Sequence, residues 1–354
     1  MIIWKKKLAA AALAAVLTFS VSATAFAHDG WTQTNAPIIA QGEVAYVDLL
    51  FGNHSNDHKS YRITGQWGVD SSKVYVTSPA GVKTDITSTR FYTGEAATET
   101  EPAVNNGFVA SFSAASPGAY IVTGESDSVS TTSLSRSMRS AKSFVAISDL
   151  PLIARVSALK GFANPVSLDR AEFVPQFNPA AALPGQEVKV QMLLKGKPVA
   201  DAEVSLIRRS NSEGQTLTTD ENGIVTYKTG AADYYLLRAS TSTDESKEGE
   251  YTKVNYTATM TYTVQNAGVK LPAGKVSPIP YVYVDGKLVS SDSLTVVKGS
   301  TNASADFLKQ YIDPSYSSKN PASLRQTAEK AGAVVEFLPA VGDTRSAVLI
   351  YTKK

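Results

Sequence analysis

Between Glu43 and Ile147 the chain runs in short stretches of alternating apolar and polar residues, separated by turn-forming clusters rather than helices. The stretches are Val44, Tyr46 and Val47–Phe51, then Lys73–Thr77, Gly107–Phe112, Ala119–Thr123 and Ser143–Ile147. Ser78-Pro79, Asn105-Asn106-Gly107 and Ser116-Pro117-Gly118 punctuate them. A period of two sends successive side chains to opposite faces of a strand, so each stretch buries its apolar face only within paired, stacked sheets. The spacing predicts a β-sandwich over residues 28–148. Thr93–Asn106 and the Ser-rich run Ser126–Ser140 read as long exposed loops.

A second series follows in Glu187–Leu194, Ala202–Ile207, Gly223–Thr226, Tyr234–Ala239 and Tyr256–Val264, predicting another sandwich over residues 149–266. Within it Asn222-Gly223 supplies the positive φ that a hairpin needs. Gly268, Pro272, Gly274, Pro278 and Pro280 then interrupt any regular element, marking residues 267–280 as a linker. Residues 281–354 combine a strand (Tyr281–Val284), a turn at Asp285-Gly286, a helix over Pro321–Ala331, a Gly332 stop and strands Val334–Phe337 and Ala347–Tyr351. Leu324, Ala328 and Ala331 recur at helical spacing.

Met1–Ala27 has the layout of a secretory signal: Lys5, Lys6 and Lys7, an apolar run from Leu8 to Val21, and Ala25-Phe26-Ala27 before the cut. The expected first mature residue is His28. Thr18, Ser20, Ser22 and Thr24 break the apolar run before the roughly 20 residues of a spanning helix, and no later segment supplies one. The mature chain is expected to be extracytoplasmic, secreted or wall-associated, with no membrane span. It contains no cysteine, so stability in an oxidising compartment has to come from buried cores. With 34 Lys and Arg against 32 Asp and Glu there is no broad basic field, and nucleic acid is not an expected partner.

Phe173–Pro179, Pro184–Val188, Lys195–Val204 and Thr218–Gly223 form an ordered set of landmarks. With Ala27-His28-Asp29 and the early Gly52-Asn53, they make residues 29–264 resemble the bacterial DUF4198 family, some of whose members are described as nickel- or cobalt-uptake accessory proteins. The resemblance implies a mainly β chain with two consecutive immunoglobulin-like or transthyretin-like β-sandwich domains, followed here by a small α/β domain. Val282–Lys287 and Ser323–Phe337 make that last piece similar to the copper amine oxidase N-terminal-like (stalk) domain, which carries no oxidase chemistry. Ala322-Ser323-Leu324-Arg325 stands in place of that family's usual proline-leucine-arginine lead into the helix, and the Asp313–Asn320 region is an irregular insertion.

The chain's three histidines, His28, His54 and His58, cluster at the mature N-terminus. Cleavage after Ala27 gives His28 both an α-amino and an imidazole nitrogen, a chelating pair whose amine titrates at about 7.7–8.0 and yields its proton to a metal near neutrality. His54 and His58 offer further imidazoles, Asp57 and Asp29 carboxylate oxygens. Such a set suits one divalent transition metal: copper by intrinsic affinity, zinc, or nickel and cobalt through the family resemblance. No organic cofactor is expected. Against this, His54 and His58 are four apart in a polar segment that does not look helical, and such a spacing converges only in a helix, so the alternative is a plain loop whose histidines face solvent.

No Gly-x-Ser-x-Gly, His-Glu-x-x-His or phosphate-binding glycine loop occurs, and a non-enzymatic protein is expected. Glu99, Glu101, Asp244 and Glu245 read as solubilising carboxylates, Asp220–Gly223 as a turn rather than a calcium loop, and Trp31 and Trp67 as sandwich core. Two functions fit: a transition-metal-binding accessory of an envelope metal-uptake system, or a structural or adhesive envelope protein whose loops meet a cell-wall component.

Overall fold

The computed structural model describes residues 28–54, 59–65, 67–95, 98–101 and 107–352, with backbone alone at 53, 54 and 59–65. The expected signal, residues 1–27, lies outside them. Strands hold 49% of the residues and helices 9%, so the protein is mainly β, as the alternation predicts.

The first unit contains β1 (Asp29–Thr34), β2 (Ile38–Ala40), β3 (Val44–His54), β4 (Lys59–Gly65), β5 (Ser72–Thr77), β6 (Lys83–Asp85), β7 (Phe91–Tyr92), β8 (Phe108–Ser113), β9 (Gly118–Ser130) and β10 (Ser135–Ser148). A short helix, α1 (Ile153–Val156), leads to β11 (Ala171–Pro175), β12 (Glu187–Leu194), β13 (Lys197–Pro198), β14 (Glu203–Arg208), β15 (Gly214–Thr218), β16 (Ile224–Lys228), β17 (Asp233–Thr243) and β18 (Lys253–Val264). After the irregular stretch 267–280 come β19 (Tyr281–Val284), β20 (Lys287–Val289), β21 (Leu294–Val297), β22 (Ser300–Ala303), α2 (Ala305–Tyr311), β23 (Ala322–Ser323), α3 (Leu324–Lys330), β24 (Val334–Leu338) and β25 (Ala347–Tyr351).

Among the described residues, β1-β3-β8-β7 with β4 make one sheet and β11-β12-β13 with β16 another. Both accompany a nine-stranded sheet ordered β15-β14-β17-β18-β10-β9-β5-β6, with β2 beside β10. That long sheet runs across the boundary expected at residue 148. Its seam is the parallel pairing of β10 with β18, from Ser135 opposite Lys253 to Lys142 opposite Met260. The two sandwich-like halves therefore share a sheet. β10 serves both: Ala141, Val145 and Ile147 belong to the first core, while Met138, Phe144 and Ala146 belong to a second core with Phe173, Met192 and Tyr256.

The Ser-rich run Ser126–Ser140, read from sequence as an exposed loop, is instead the strand ends and turn of the β9–β10 hairpin. Serine favours turns only where its hydroxyl must bond locally. Here Ser135 and Ser140 are buried, and Ser140 Oγ donates to the Ala171 carbonyl at 2.5 Å.

β1 is enclosed on both faces. Trp31 packs with Leu50, Ile207 and Leu236 on one side, while Gly30 on the other leaves room for the Trp67 ring. Its outer edge is capped by hydroxyls: Thr259 Oγ1 donates to the Gly30 carbonyl at 2.8 Å and Thr261 Oγ1 to that of Thr32 at 2.5 Å. These threonines satisfy an otherwise unpaired strand edge. Both tryptophans are core residues, as read from sequence.

The C-terminal unit buries Phe307, Leu308 and Ile312 beside Leu324, Ala328 and Ile350. Ser323 caps α3 by accepting from Gln326 N–H, and Gly332 takes φ 83° just past its end. Asp285 and Gly286 both take positive φ between β19 and β20, as a primed hairpin turn requires. The unit is anchored through Arg155 of α1, which is fully buried. Its guanidinium forks onto Asp149 at 2.9 and 2.8 Å and donates to the carbonyls of Leu338 and Arg345 at 3.3 and 2.9 Å.

Candidate functional site

His28, the first described residue, leads into β1, whose register sets Asp29 opposite Gly52 of β3. His28 therefore stands at the same end of the sheet as the last residues of β3, of which His54 is the final one. The His28 side chain is exposed, its ring lying nearly parallel to Phe51 at 6.1 Å between centroids. The β3–β4 ladder is irregular here, shifting register between Gly52 and His54.

Asp29, expected as an oxygen donor to a metal, is fully buried and accepts from Arg238 Nε of β17 at 2.7 Å. Its remaining oxygen, Oδ1, is buried without a hydrogen-bond partner. Burial raises the Asp29 carboxyl to about 6, against the opposing pull of Arg238 and, more weakly, of Arg139. The carboxylate thus serves the joint between β1 and the long sheet. Asp57 and His58 lie outside the described residues, and of His54 only the backbone is described. Among the described residues no three His, Cys, Asp or Glu side chains converge as a metal site.

A native carboxyl raised above its unfolded value favours the folded state at low pH, and that increment disappears as pH rises through about 6. Moving wild type from pH 7.5 to pH 5 should therefore gain roughly 1–2 kcal/mol from Asp29, an increment that Asp29→Asn abolishes. Urea titrations of both proteins at the two pH values check this. A wild-type-minus-variant difference that does not change with pH contradicts it.

A second cluster escaped the sequence reading because its members are far apart in the chain. Lys142 of β10 and Glu172 of β11 are fully buried, with Nζ 2.5 Å from Oε2. Glu172 Oε2 also accepts from the backbone N–H groups of Val166 and Ser167 at 3.0 and 3.2 Å. Ser167 Oγ passes the contact on to Glu125 Oε1 at 2.9 Å, which Lys83 Nζ reaches at 2.7 Å. Arg170 lies 3.8 Å from the same carboxylate and borders a groove of about 320 Å³ together with Asp70, Lys73, Tyr75 and Asp127. A separate cleft of about 350 Å³ opens between the first unit and the C-terminal unit, lined by Pro79, Val82, Ser116, Tyr120, Asp285 and Tyr351. Asp220 accepts from the N–H groups of Asn222 and Ile224 in a tight turn, but the expected hairpin does not form there: β15 pairs with β14 and β16 with β12, so the turn carries the chain from one sheet to the other.

Residues 25–243, more than half of the chain, match the sequence profile described as a domain of unknown function, DUF4198. The chain belongs to the DUF4198 family. The match ends with β17, and nothing in the comparisons supports a nickel or cobalt role or the stalk-like resemblance of residues 281–354. No curated protein matches this DUF4198 chain.

Among solved structures, it is similar to one from a study of host cell surface retention of a bacterial ice-binding adhesin. The identity is 11%, coverage 92% of this chain and 96% of the other, and the TM-score 0.21. A DUF4785 family protein from Legionella pneumophila is 8% identical over 59% and 50%, with a TM-score of 0.21. Fibronectin(III)-like modules of Clostridium thermocellum CbhA are 11% identical over 67% and 95%, with a TM-score of 0.16. At such TM-scores these likenesses carry no functional argument.

Proposed function

We propose that this DUF4198 protein is a non-enzymatic structural protein of the bacterial envelope, acting outside the cytoplasm, whose fused halves form one stiff body that presents its loops to a wall polymer or partner protein. The observation that carries this reading is the β10–β18 seam, which replaces a flexible domain junction with backbone hydrogen bonds. Domains joined only by a linker move relative to one another, whereas a sheet running through both does not hinge between them. Arg155 extends the same rigidity to the C-terminal unit.

The metal-binding reading stands second, supported by the exposed His28 ring beside the sheet end where β3 finishes at His54. Nickel, cobalt, copper or zinc is the cargo it implies, for handover to an envelope uptake system.

Two measurements on chain beginning at His28 separate the readings. Scanning calorimetry is expected to show residues 28–266 melting in a single transition, and isothermal titration with each of the four metals to show no binding. Independent melting of the two sandwich-like halves refutes the structural reading. Tight metal binding that disappears when one residue is added before His28 establishes the chelate instead.

A further inference from the structure

The geometry points to a covalent amide between Lys142 Nζ and Glu172 Cδ, formed by the protein on itself and stapling the long sheet to the β11–β12 sheet. The two side chains meet with no exposure at 2.5 Å, closer than most ion pairs, and among the described residues Nζ has no partner besides that carboxylate. Glu172 Oε1 is also without a hydrogen-bond partner. A buried ion pair with so few compensating bonds is costly, and a neutral amide removes both charges at once.

The surroundings supply the parts an acyl transfer needs. Burial lowers the affinity of Lys142 for its proton, which favours the nucleophilic amine. Two backbone N–H groups, from Val166 and Ser167, point at Glu172 Oε2, where negative charge gathers in a tetrahedral intermediate. Glu125 is near enough for its charge to act on Lys142, and it is tied through Ser167 Oγ to the same loop. This makes it the proton carrier.

The step balances without any co-reactant. One proton passes from the Lys142 ammonium to the Glu172 carboxylate, giving a neutral amine and a neutral acid. The Nζ lone pair then forms the bond to Cδ, and Glu125 relays a second proton from nitrogen to the departing hydroxyl. The C–OH bond breaks and one water leaves. Two groups held in contact within a closed core react at an effective concentration of about 10⁵–10⁸ M when well oriented, which drives a condensation that free amines and acids in water do not undergo.

The test is mass spectrometry of the denatured full mature chain. The expected mass is one water below that of the sequence. Trypsin is expected to miss Lys142 and yield one branched species joining residues 140–155 to residues 171–189. Lys142→Met should carry the full sequence mass, and Glu125→Gln should slow or abolish the water loss while leaving the fold intact by circular dichroism. A wild-type chain of full mass, cleaved normally at Lys142, overturns the proposal, and so does a water loss mapped to any other pair of peptides.

Discussion

Arg155→Ala is expected to free the C-terminal unit from the body of the molecule and to cost about 1–3 kcal/mol, the range for leaving buried acceptors without their donor. The arginine has no solvent exposure, and its charge is met by a two-pronged contact with Asp149. Truncation leaves the buried contact to the Leu338 carbonyl and the half-buried ones to the Pro339 and Arg345 carbonyls without their donor, while the Asp149 carboxylate can turn to water. Arg155→Lys should rescue little, because an ammonium cannot reproduce a planar fork reaching in two directions. Urea unfolding of the variant should separate into two transitions, with new protease cleavage in the 267–280 stretch. A single transition at the wild-type midpoint would show that the apolar contact between the units holds them without the arginine.

Gly30→Ala is expected to lower stability by about 2–4 kcal/mol, combining overpacking with loss of a buried hydrogen bond. A methyl on Gly30 would stand 2.4 and 2.6 Å from carbons of the Trp67 ring. That ring has little freedom to retreat, because Nε1 donates to the Leu50 carbonyl at 2.7 Å and Gly124 packs close behind it. Either Trp67 swings out and gives up its bond, or β1 shifts away from the threonine hydroxyls that cap its edge. Tryptophan emission should move to longer wavelength as the thermal midpoint falls. An unchanged midpoint would mean that the strand yields without cost.

Much of this architecture was legible in the residues. Period-two alternation located most of the strands, Gly332 and Asp285-Gly286 marked their turns, and Leu324 with Ala328 announced α3. Helix α2 was missed although Ser304 caps it and Phe307, Leu308 and Tyr311 are spaced helically, because one short helix offers too few repeats to stand out. The joining of the two halves was illegible for a different reason. Parallel pairing of distant strands leaves no period, and a strand buried on one face looks the same whether its second edge meets a neighbour from the same half or another.

The candidate site shows the same limit. Clustering of His28, His54 and His58 was visible, but the pairing of Asp29 with Arg238 depends on β1 lying against β17, which no spacing in the sequence encodes. Lys142 and Glu172 were equally hidden. In sequence each is one more polar residue outside the stretches read as strands, and only the fold places both in β-strands and turns them inward.

The seam between β10 and β18 also bears on how the chain acquires its shape. Synthesis proceeds from the N-terminus, so β9 and β10 emerge well before the strand that covers the half of β10 from Ser135 to Lys142. Until β18 arrives, the nascent first half displays a bare row of donors and acceptors, able to recruit the same row on a neighbouring molecule. Dependence on so remote a partner also slows productive collapse, since a long loop must close before the contact forms. A chain halted between the two strands should be prone to aggregation, whereas one that includes β18 should not.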